Sequence, residues 1–109
     1  MLEDEYPQVF VVMGNLAMTY SQLGRAGDAA ELFKKALETS TKLLGDEHPQ
    51  TSGMMMNLGC AYQELGMLDD SIALLERAMD AHERLLGVRF VGTAKVMANL
   101  ALAYEEGQV

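Results

Sequence analysis

The segment Asn15-Leu16-Ala17-Met18-Thr19-Tyr20 decides the fold of this chain because it occurs in three versions. It returns as Asn57-Leu58-Gly59-x-x-Tyr62 and as Asn99-Leu100-Ala101-x-x-Tyr104, with a period of about 42 residues. The flanking residues follow the same offset, and about a third of the comparable positions are identical. A chain built from one repeated unit presents a repeated surface, and such a surface is normally used for binding.

The composition predicts one compact all-α unit. The chain has 109 residues, of which 50% are hydrophobic, so it can bury a modest core and disorder is not expected. Ala, Leu, Met, Glu and Gln are plentiful, whereas the two Pro residues and the single Ile are few. We therefore expect helices throughout the module, which spans residues 1–109.

The charge, the length of the apolar runs and the cysteine content argue against nucleic-acid and membrane partners and indicate a reducing compartment. The net charge of −8 argues against nucleic-acid binding because phosphate backbones are held by basic surfaces. No run approaches the roughly 20 apolar residues of a membrane span, so no membrane partner is expected. The single cysteine, Cys60, excludes an intramolecular disulfide and favours a reducing, cytoplasmic setting.

Each repeat reads as two helices, A and B. Apolar residues of the first A helix recur at steps of three and four, at Val9, Val12, Met13, Leu16 and Tyr20. Leu23-Gly24 ends that helix, and Asp28 is expected to cap the B helix, with Glu31 as its capping-box partner. The B helix carries an apolar face as far as Gly45, which stops it; the members are Leu32, Phe33, Ala36, Leu37, Ser40, Leu43 and Leu44.

The helices give the order A-B-A-B-A. We place repeat 1 at residues 7–45, repeat 2 at 49–87 and a partial repeat 3, an A helix alone, at 91–109. Gly53 lies inside the second A helix, where we expect it to permit close approach by a neighbouring helix or a ligand. Phe90 and Val91, in the second linker, are expected to pack locally.

These positions resemble the tetratricopeptide repeat, a helix–turn–helix unit that stacks into a right-handed α-solenoid. The family pattern falls on Met13, Leu16-Ala17, Tyr20, Gly24, Ala29, Phe33 and Ala36, and again on Met55, Leu58-Gly59, Tyr62, Gly66, Ser71, Leu75 and Ala78. The long period, the Asn-Leu-Ala core and the linker Asp46-Glu47-His48-Pro49 are similar to the kinesin-light-chain type.

The resemblance implies that the A helices line a concave groove that binds a protein or peptide. The expected groove residues are Asn15, Asn57, Asn99, Met18, Met56, Cys60, Gln22, Gln63, Glu64, Lys95 and Leu102. Three asparagine amides in a row both donate and accept, so they can hold an extended peptide backbone. The alternative is that each asparagine bonds to a neighbouring helix and only fixes the stacking.

Methionines and charges refine this expectation. Met18 and Met56 would form a soft apolar floor, although such a stripe can equally be core, as we expect for Met13, Met55 and Met97. The groove offers Lys95 against Glu64, Glu105 and Glu106, which favours an apolar or basic partner segment. The acidity can equally be a solvated exterior that keeps the chain soluble.

No residue pattern indicates catalysis, a metal site or a cofactor. His48 is expected in a turn and His82 on the outer half of a helix, without ligands at metal-binding spacing. Ser21 and Cys60 have no base partner at a recognisable spacing. We therefore expect a non-enzymatic chain.

The sequence favours a protein-interaction adaptor and leaves two alternatives open. One is a self-assembling scaffold that pairs through uncapped ends, and the other is a regulatory or cargo-binding fragment of a larger motor or enzyme complex. Both ends of the chain match the middle of an array, so a piece of a longer solenoid is expected. On the last A helix, Val96, Leu100 and Ala103 are expected to be exposed, and a homo-oligomer would form through such terminal helices.

Overall fold

The computed structural model describes residues 7–86 and 91–107, and within the helices it leaves out the side chains of residues 7, 8, 86 and 91–95. The described residues form five helices, namely α1 (Pro7–Gln22), α2 (Ala26–Leu44), α3 (Pro49–Glu64), α4 (Leu68–Leu86) and α5 (Val91–Gly107). Each helix packs on the next along the chain, and the pairs α1·α2 and α3·α4 are the most extensive. The chain is thus an all-α solenoid of stacked antiparallel helix pairs, with α1, α3 and α5 as A helices and α2 and α4 as B helices. The expectation for Phe90 lies outside the described residues, as does that for the Val91 side chain.

The turns between the A and B helices are identical in the two repeats. The Arg25 N–H donates to the Tyr20 carbonyl at 2.8 Å, and the Gly24 N–H donates to the Ser21 carbonyl at 3.0 Å. These are the two hydrogen bonds of a Schellman motif, which requires a positive φ at Gly24, here 78°. The second repeat has the same bonds and angle, formed by Met67 with Tyr62 and by Gly66 with Gln63.

The start of α2 differs from the sequence prediction. The helix begins at Ala26 with Arg25 as its N-cap, and no side chain caps it, so Asp28 is not the cap. Asp28 instead lies in the first turn and accepts a hydrogen bond from the Arg25 guanidinium at 2.8 Å. The reason is the Schellman turn, which leads directly into the B helix. At α3, the predicted start at Pro49 is confirmed, and the His48 Nδ1 accepts from the Gln50 N–H at 3.1 Å.

Small residues allow the A and B helices to cross closely. A Cβ built on Gly59 would lie 2.9 Å from the Leu75 side chain, so no larger residue fits there without a shift. The Ser71 hydroxyl donates to the Gly59 carbonyl at 2.7 Å across the same crossing. In the first repeat, Ala17 and Ala29 occupy the equivalent positions and are fully buried.

The sequence suggested that a neighbouring helix approaches closely at Gly53, and the structure does not show this. Nothing lies within 4 Å of a Cβ built on Gly53, so no helix approaches it. The close approach is at Gly14, where a Cβ would lie 2.7 Å from the Met54 Cε. Gly14 of α1 therefore leaves room for the Met54 side chain of α3.

Each A helix has two apolar faces, and the sequence prediction assigned them wrongly on α5. The upstream face, which packs on the preceding B helix, is formed in α3 by Met54, Leu58 and Ala61, and in α5 by Val96, Leu100 and Ala103. The downstream face, which packs on the following B helix, is formed in α3 by Met55, Gly59 and Tyr62. The residues at the equivalent repeat positions of α5 are Met97, Ala101 and Tyr104. Because α4 covers the upstream face, Val96, Leu100 and Ala103 are buried and not exposed as predicted. Met97, predicted as core, is exposed, whereas Met55 is buried and Met13 half-buried.

His82 is also placed differently from its prediction. It is buried, and its Nδ1 lies 2.9 Å from the Ala78 carbonyl one turn earlier in α4. The repeat offset matches His82 with Ser40, which is fully buried in α2. The ring fits inside the stack because a backbone carbonyl of its own helix satisfies one nitrogen.

Candidate functional site

The candidate site is the surface formed by the A helices. Of the predicted groove residues, Asn15, Met18, Gln22, Glu64 and Leu102 are exposed, and Met56, Asn57, Cys60, Gln63 and Asn99 are half-buried. Met56 packs against buried core residues of the stack, so it belongs partly to the core. The Lys95 side chain lies outside the described residues.

A cleft of about 150 Å³ lies between α1 and α3. Its lining residues are Met18, Ser21, Gln22, Phe33, Asn57, Cys60 and Ala61. Four of these belong to the predicted site, so the structure brings Met18, Gln22, Asn57 and Cys60 together. Phe33, which also lines the cleft, comes from α2. The sequence predicts it only as a core residue, because it lies at the helical spacing of the apolar face.

The asparagine side chains are available to a ligand. Within the described side chains, no hydrogen bond joins the amide of Asn15, Asn57 or Asn99 to another residue. Asn57 and Asn99 are half-buried and Asn15 is exposed, so each amide reaches solvent. An amide in this position can donate and accept toward a peptide backbone at the same time.

Hydrogen bonds join the C-terminal ends of successive A helices. The Ser21 hydroxyl of α1 donates to Glu64 of α3 at 3.3 Å, and the Gln63 amide of α3 donates to Glu106 of α5. Both pairs are 43 residues apart, so they are the same link repeated. A carboxylate has about four acceptor sites, so each can also accept from a ligand.

This edge of the site is negative. Glu64 and Glu106 lie at helix C-termini, where the backbone dipoles also present partial negative charge. Glu105 is exposed beside them on α5. A cationic group on a partner would therefore be attracted to this edge, and a carboxylate repelled.

Tyr104 joins α5 to α4 at the edge of the stack. Its hydroxyl donates to the Glu76 carboxylate. This hydrogen bond raises the pKa of Tyr104 above its usual value, and partial desolvation and the negative charge of Glu76 add to the effect. The equivalent Tyr20 instead lies 4.6 Å from the Arg25 guanidinium, in a cation–π contact.

Metal-binding clusters and membrane-spanning helices were sought in the same residues. Among residues 7–86 and 91–107, no three His, Cys, Asp or Glu side chains come together at a metal-binding distance. None of the described helices is both long enough and apolar enough to span a membrane.

The sequence and the fold together identify the family. The tetratricopeptide repeat profile matches residues 8–84 and 52–108. The chain therefore belongs to the tetratricopeptide repeat family, whose members generally mediate protein–protein interactions. No curated protein shows a significant match.

Several solved structures resemble the chain over nearly its whole length. A kinesin-light-chain-like protein of Podosopora anserina with nearly identical repeats is 27% identical, with a TM-score of 0.86 over 95% of this chain and 49% of its own. A single-substitution variant of that Podosopora anserina protein is 25% identical, with a TM-score of 0.82 over 98% of this chain and 50% of its own. BtubC (BKLC) from P. vanneervenii shares the fold, with 24% identity, a TM-score of 0.87, and coverage of 97% of this chain and 42% of its own. The chain thus spans at most half the length of these structures.

Proposed function

We propose that this chain is a non-enzymatic interaction module that binds an extended peptide segment along its A helices. The observation that carries the proposal is the cleft between α1 and α3. Its lining combines Asn57, whose amide has no hydrogen-bond partner among the described side chains, with the apolar side chains of Met18 and Phe33. The amide would hold the peptide backbone and the apolar surface would hold a side chain.

The partner segment would be apolar with basic residues. The cleft is floored by Met18, Phe33 and Ala61, which favour an apolar side chain. Its edge carries the Glu64 carboxylate, and the next link along the stack carries Glu106. A lysine or arginine that follows the apolar side chain would complement this negative edge.

The kinesin-light-chain-like neighbours suggest the setting of such a module. Because the chain spans about half the length of these neighbours, it would serve as one adaptor segment in a larger assembly. The single Cys60 fits a reducing compartment, and we propose the cytoplasm as the place of the interaction.

The proposal is tested by selecting peptides from a random display library against the wild-type chain. The best binder is then titrated against Asn57→Ala and against Lys34→Ala, an exposed position on α2 outside the cleft. Loss of two backbone hydrogen bonds weakens binding to Asn57→Ala by about tenfold. Lys34→Ala should bind as the wild type does. Equal affinity for all three proteins would exclude the cleft as the binding site.

A further inference from the structure

The residues that line the cleft between α1 and α3 have counterparts one repeat further along the stack, between α3 and α5. Equivalent residues agree in burial: Phe33 and Leu75 are both buried, and Asn57 and Asn99 are both half-buried. The two pairs of A helices therefore present a similar surface to a ligand. The counterparts, which we call the α3–α5 surface, are Cys60, Gln63, Glu64, Leu75, Asn99, Leu102 and Ala103.

Charge distinguishes the two surfaces. The residues that line the α1–α3 cleft are all uncharged, and Gln22 of α1 holds the repeat position that Glu64 holds in α3. The α3–α5 surface therefore contains a carboxylate where the first cleft has an amide. A second carboxylate, that of Glu106, is held beside it by the hydrogen bond from Gln63. Both glutamates are exposed, so a cationic group of a ligand can reach them.

We propose that the α3–α5 surface is a second subsite, which takes a lysine or arginine of the same peptide whose apolar side chain lies in the α1–α3 cleft. The aliphatic stem of the basic residue would lie on Leu102, which is 50% exposed. Its cationic group would face Glu64 and Glu106, and the Asn99 amide would hold the peptide backbone. This inference rests on the peptide-binding function proposed above and adds the position of the basic residue to it.

The packing of the A helices sets the spacing between the two subsites. α1 and α3 are in contact, because the Met54 side chain fills the space beside Gly14, and α3 and α5 are in contact as well. The axes of packed helices lie about 8–10 Å apart. An extended peptide advances about 3.3 Å per residue, so it crosses from one subsite to the next in about three residues. The expected pattern is an apolar and a basic residue with two residues between them.

The experiment uses fluorescein-labelled peptides that each carry one leucine and one lysine on a background of serine and alanine. The lysine lies one, two, three or four positions from the leucine, in both chain orders, and in a further peptide serine replaces the lysine. Binding to the wild-type chain is measured by fluorescence anisotropy at low salt. In one chain order, we expect the tightest binding at a separation of three positions. That peptide should bind about threefold to tenfold more tightly than the peptide without lysine.

Variants of the chain locate the lysine. Glu106→Gln removes a charge from the second subsite alone, so it should remove most of the advantage of the lysine peptide and leave the binding of the lysine-free peptide unchanged. Glu83→Gln, at an exposed position on α4 outside the groove, is the matched control and should change neither.

A third variant transfers the preference to the first cleft. Gln22→Glu gives that cleft the carboxylate that Glu64 supplies at the same repeat position of α3. A peptide in which lysine replaces the leucine, with the other lysine kept three positions away, should bind this variant about threefold or more tighter than it binds the wild type.

Equal affinity at all separations, a maximum at a separation other than three, or an advantage that Glu106→Gln leaves intact would overturn the second subsite. The lysine-free peptide judges the peptide-binding function separately. If Asn57→Ala weakens its binding while the lysine position has no effect, the first cleft binds a peptide and only the second subsite is wrong. If no peptide of the set binds, both proposals are wrong. Circular dichroism checks that the variants keep their helicity, which is expected because residues 22, 83 and 106 are exposed.

Discussion

The Ser21 hydroxyl lies 3.3 Å from the Glu64 carboxylate and donates a hydrogen bond to it, joining the C-terminal ends of α1 and α3. Gln63 and Glu106 form the same link between α3 and α5. Both carboxylates lie at the edge of the candidate groove. The stacking of the repeats and the negative charge of the groove therefore depend partly on the same side chains.

We predict that neutralising these carboxylates weakens the binding of a lysine-containing groove peptide. The Glu64→Gln, Glu106→Gln double variant should bind such a peptide about threefold to tenfold more weakly at low salt, and the difference should shrink at high salt. The measurement is a fluorescence titration at two ionic strengths. Stability should change by less than about 0.5 kcal/mol, because both pairs are exposed.

A second double variant separates the local charge from the net charge of the chain. Glu38→Gln with Glu83→Gln removes the same charge from exposed positions on the B helices. We expect it to bind the peptide nearly as the wild type does. An equal loss in both double variants would mean that the overall acidity, and not the edge of the groove, attracts the peptide.

The two glycines of α3 should respond in opposite directions to replacement by alanine. Gly59→Ala forces a Cβ to within 2.9 Å of Leu75 and should destabilise the chain by about 1–3 kcal/mol. Gly53→Ala meets nothing within 4 Å and should stabilise it by up to about 1 kcal/mol through helix propensity. Urea denaturation of both variants measures the difference. Equal stabilities would show that the α3–α4 crossing relaxes freely around Gly59.

The three equivalent leucines should differ in their contribution to stability. Leu16 is 46% exposed, whereas Leu58 is 3% and Leu100 is 6% exposed. Truncation to alanine should cost about 2–5 kcal/mol at Leu58 and at Leu100, but less than about 1 kcal/mol at Leu16. Thermal or urea unfolding of the three single variants tests this order. A small cost at Leu100 would mean that α4 does not hold the upstream face of α5.

The local features of the fold were predictable from the sequence because they depend on nearby residues. Gly24 and Gly66 end their helices through a backbone conformation that glycine adopts readily, and Pro49 begins α3 because it lacks an N–H to satisfy. The helices and the resemblance to the tetratricopeptide repeat followed from the repeated positions. The cap at Asp28 was predicted wrongly because the turn at Gly24 leads directly into α2, which puts Arg25 at the N-cap position.

The features that depend on the stacking of helices were not predictable in the same way. Leu100 and Met97 are both apolar at helical spacing, and only the position of α4 decides which of them is buried. Phe33 could be assigned to the core from its spacing, but not to the cleft floor, because that requires α3 beside it. The burial of His82 could have been predicted, because the equivalent residue of the first repeat, Ser40, lies on the apolar face of α2.

Tyr104 should report the packing of α5 on α4 through its pH dependence. The hydrogen bond to Glu76 stabilises the protonated phenol, so the folded-state pKa of Tyr104 lies above the unfolded value of about 10. This contribution to stability is therefore fully present below pH of about 10, and it is lost as the pH rises through the higher folded-state pKa.

Glu76→Gln removes the charge and should lower the pKa of Tyr104, which NMR of ¹³Cζ-labelled tyrosine measures residue by residue. Glu83→Gln, an exposed carboxylate on the same helix, is the matched control and should leave the titration in place. An unchanged Tyr104 titration in Glu76→Gln would mean that the two side chains do not meet in solution, and that the last A helix is held by its upstream face alone.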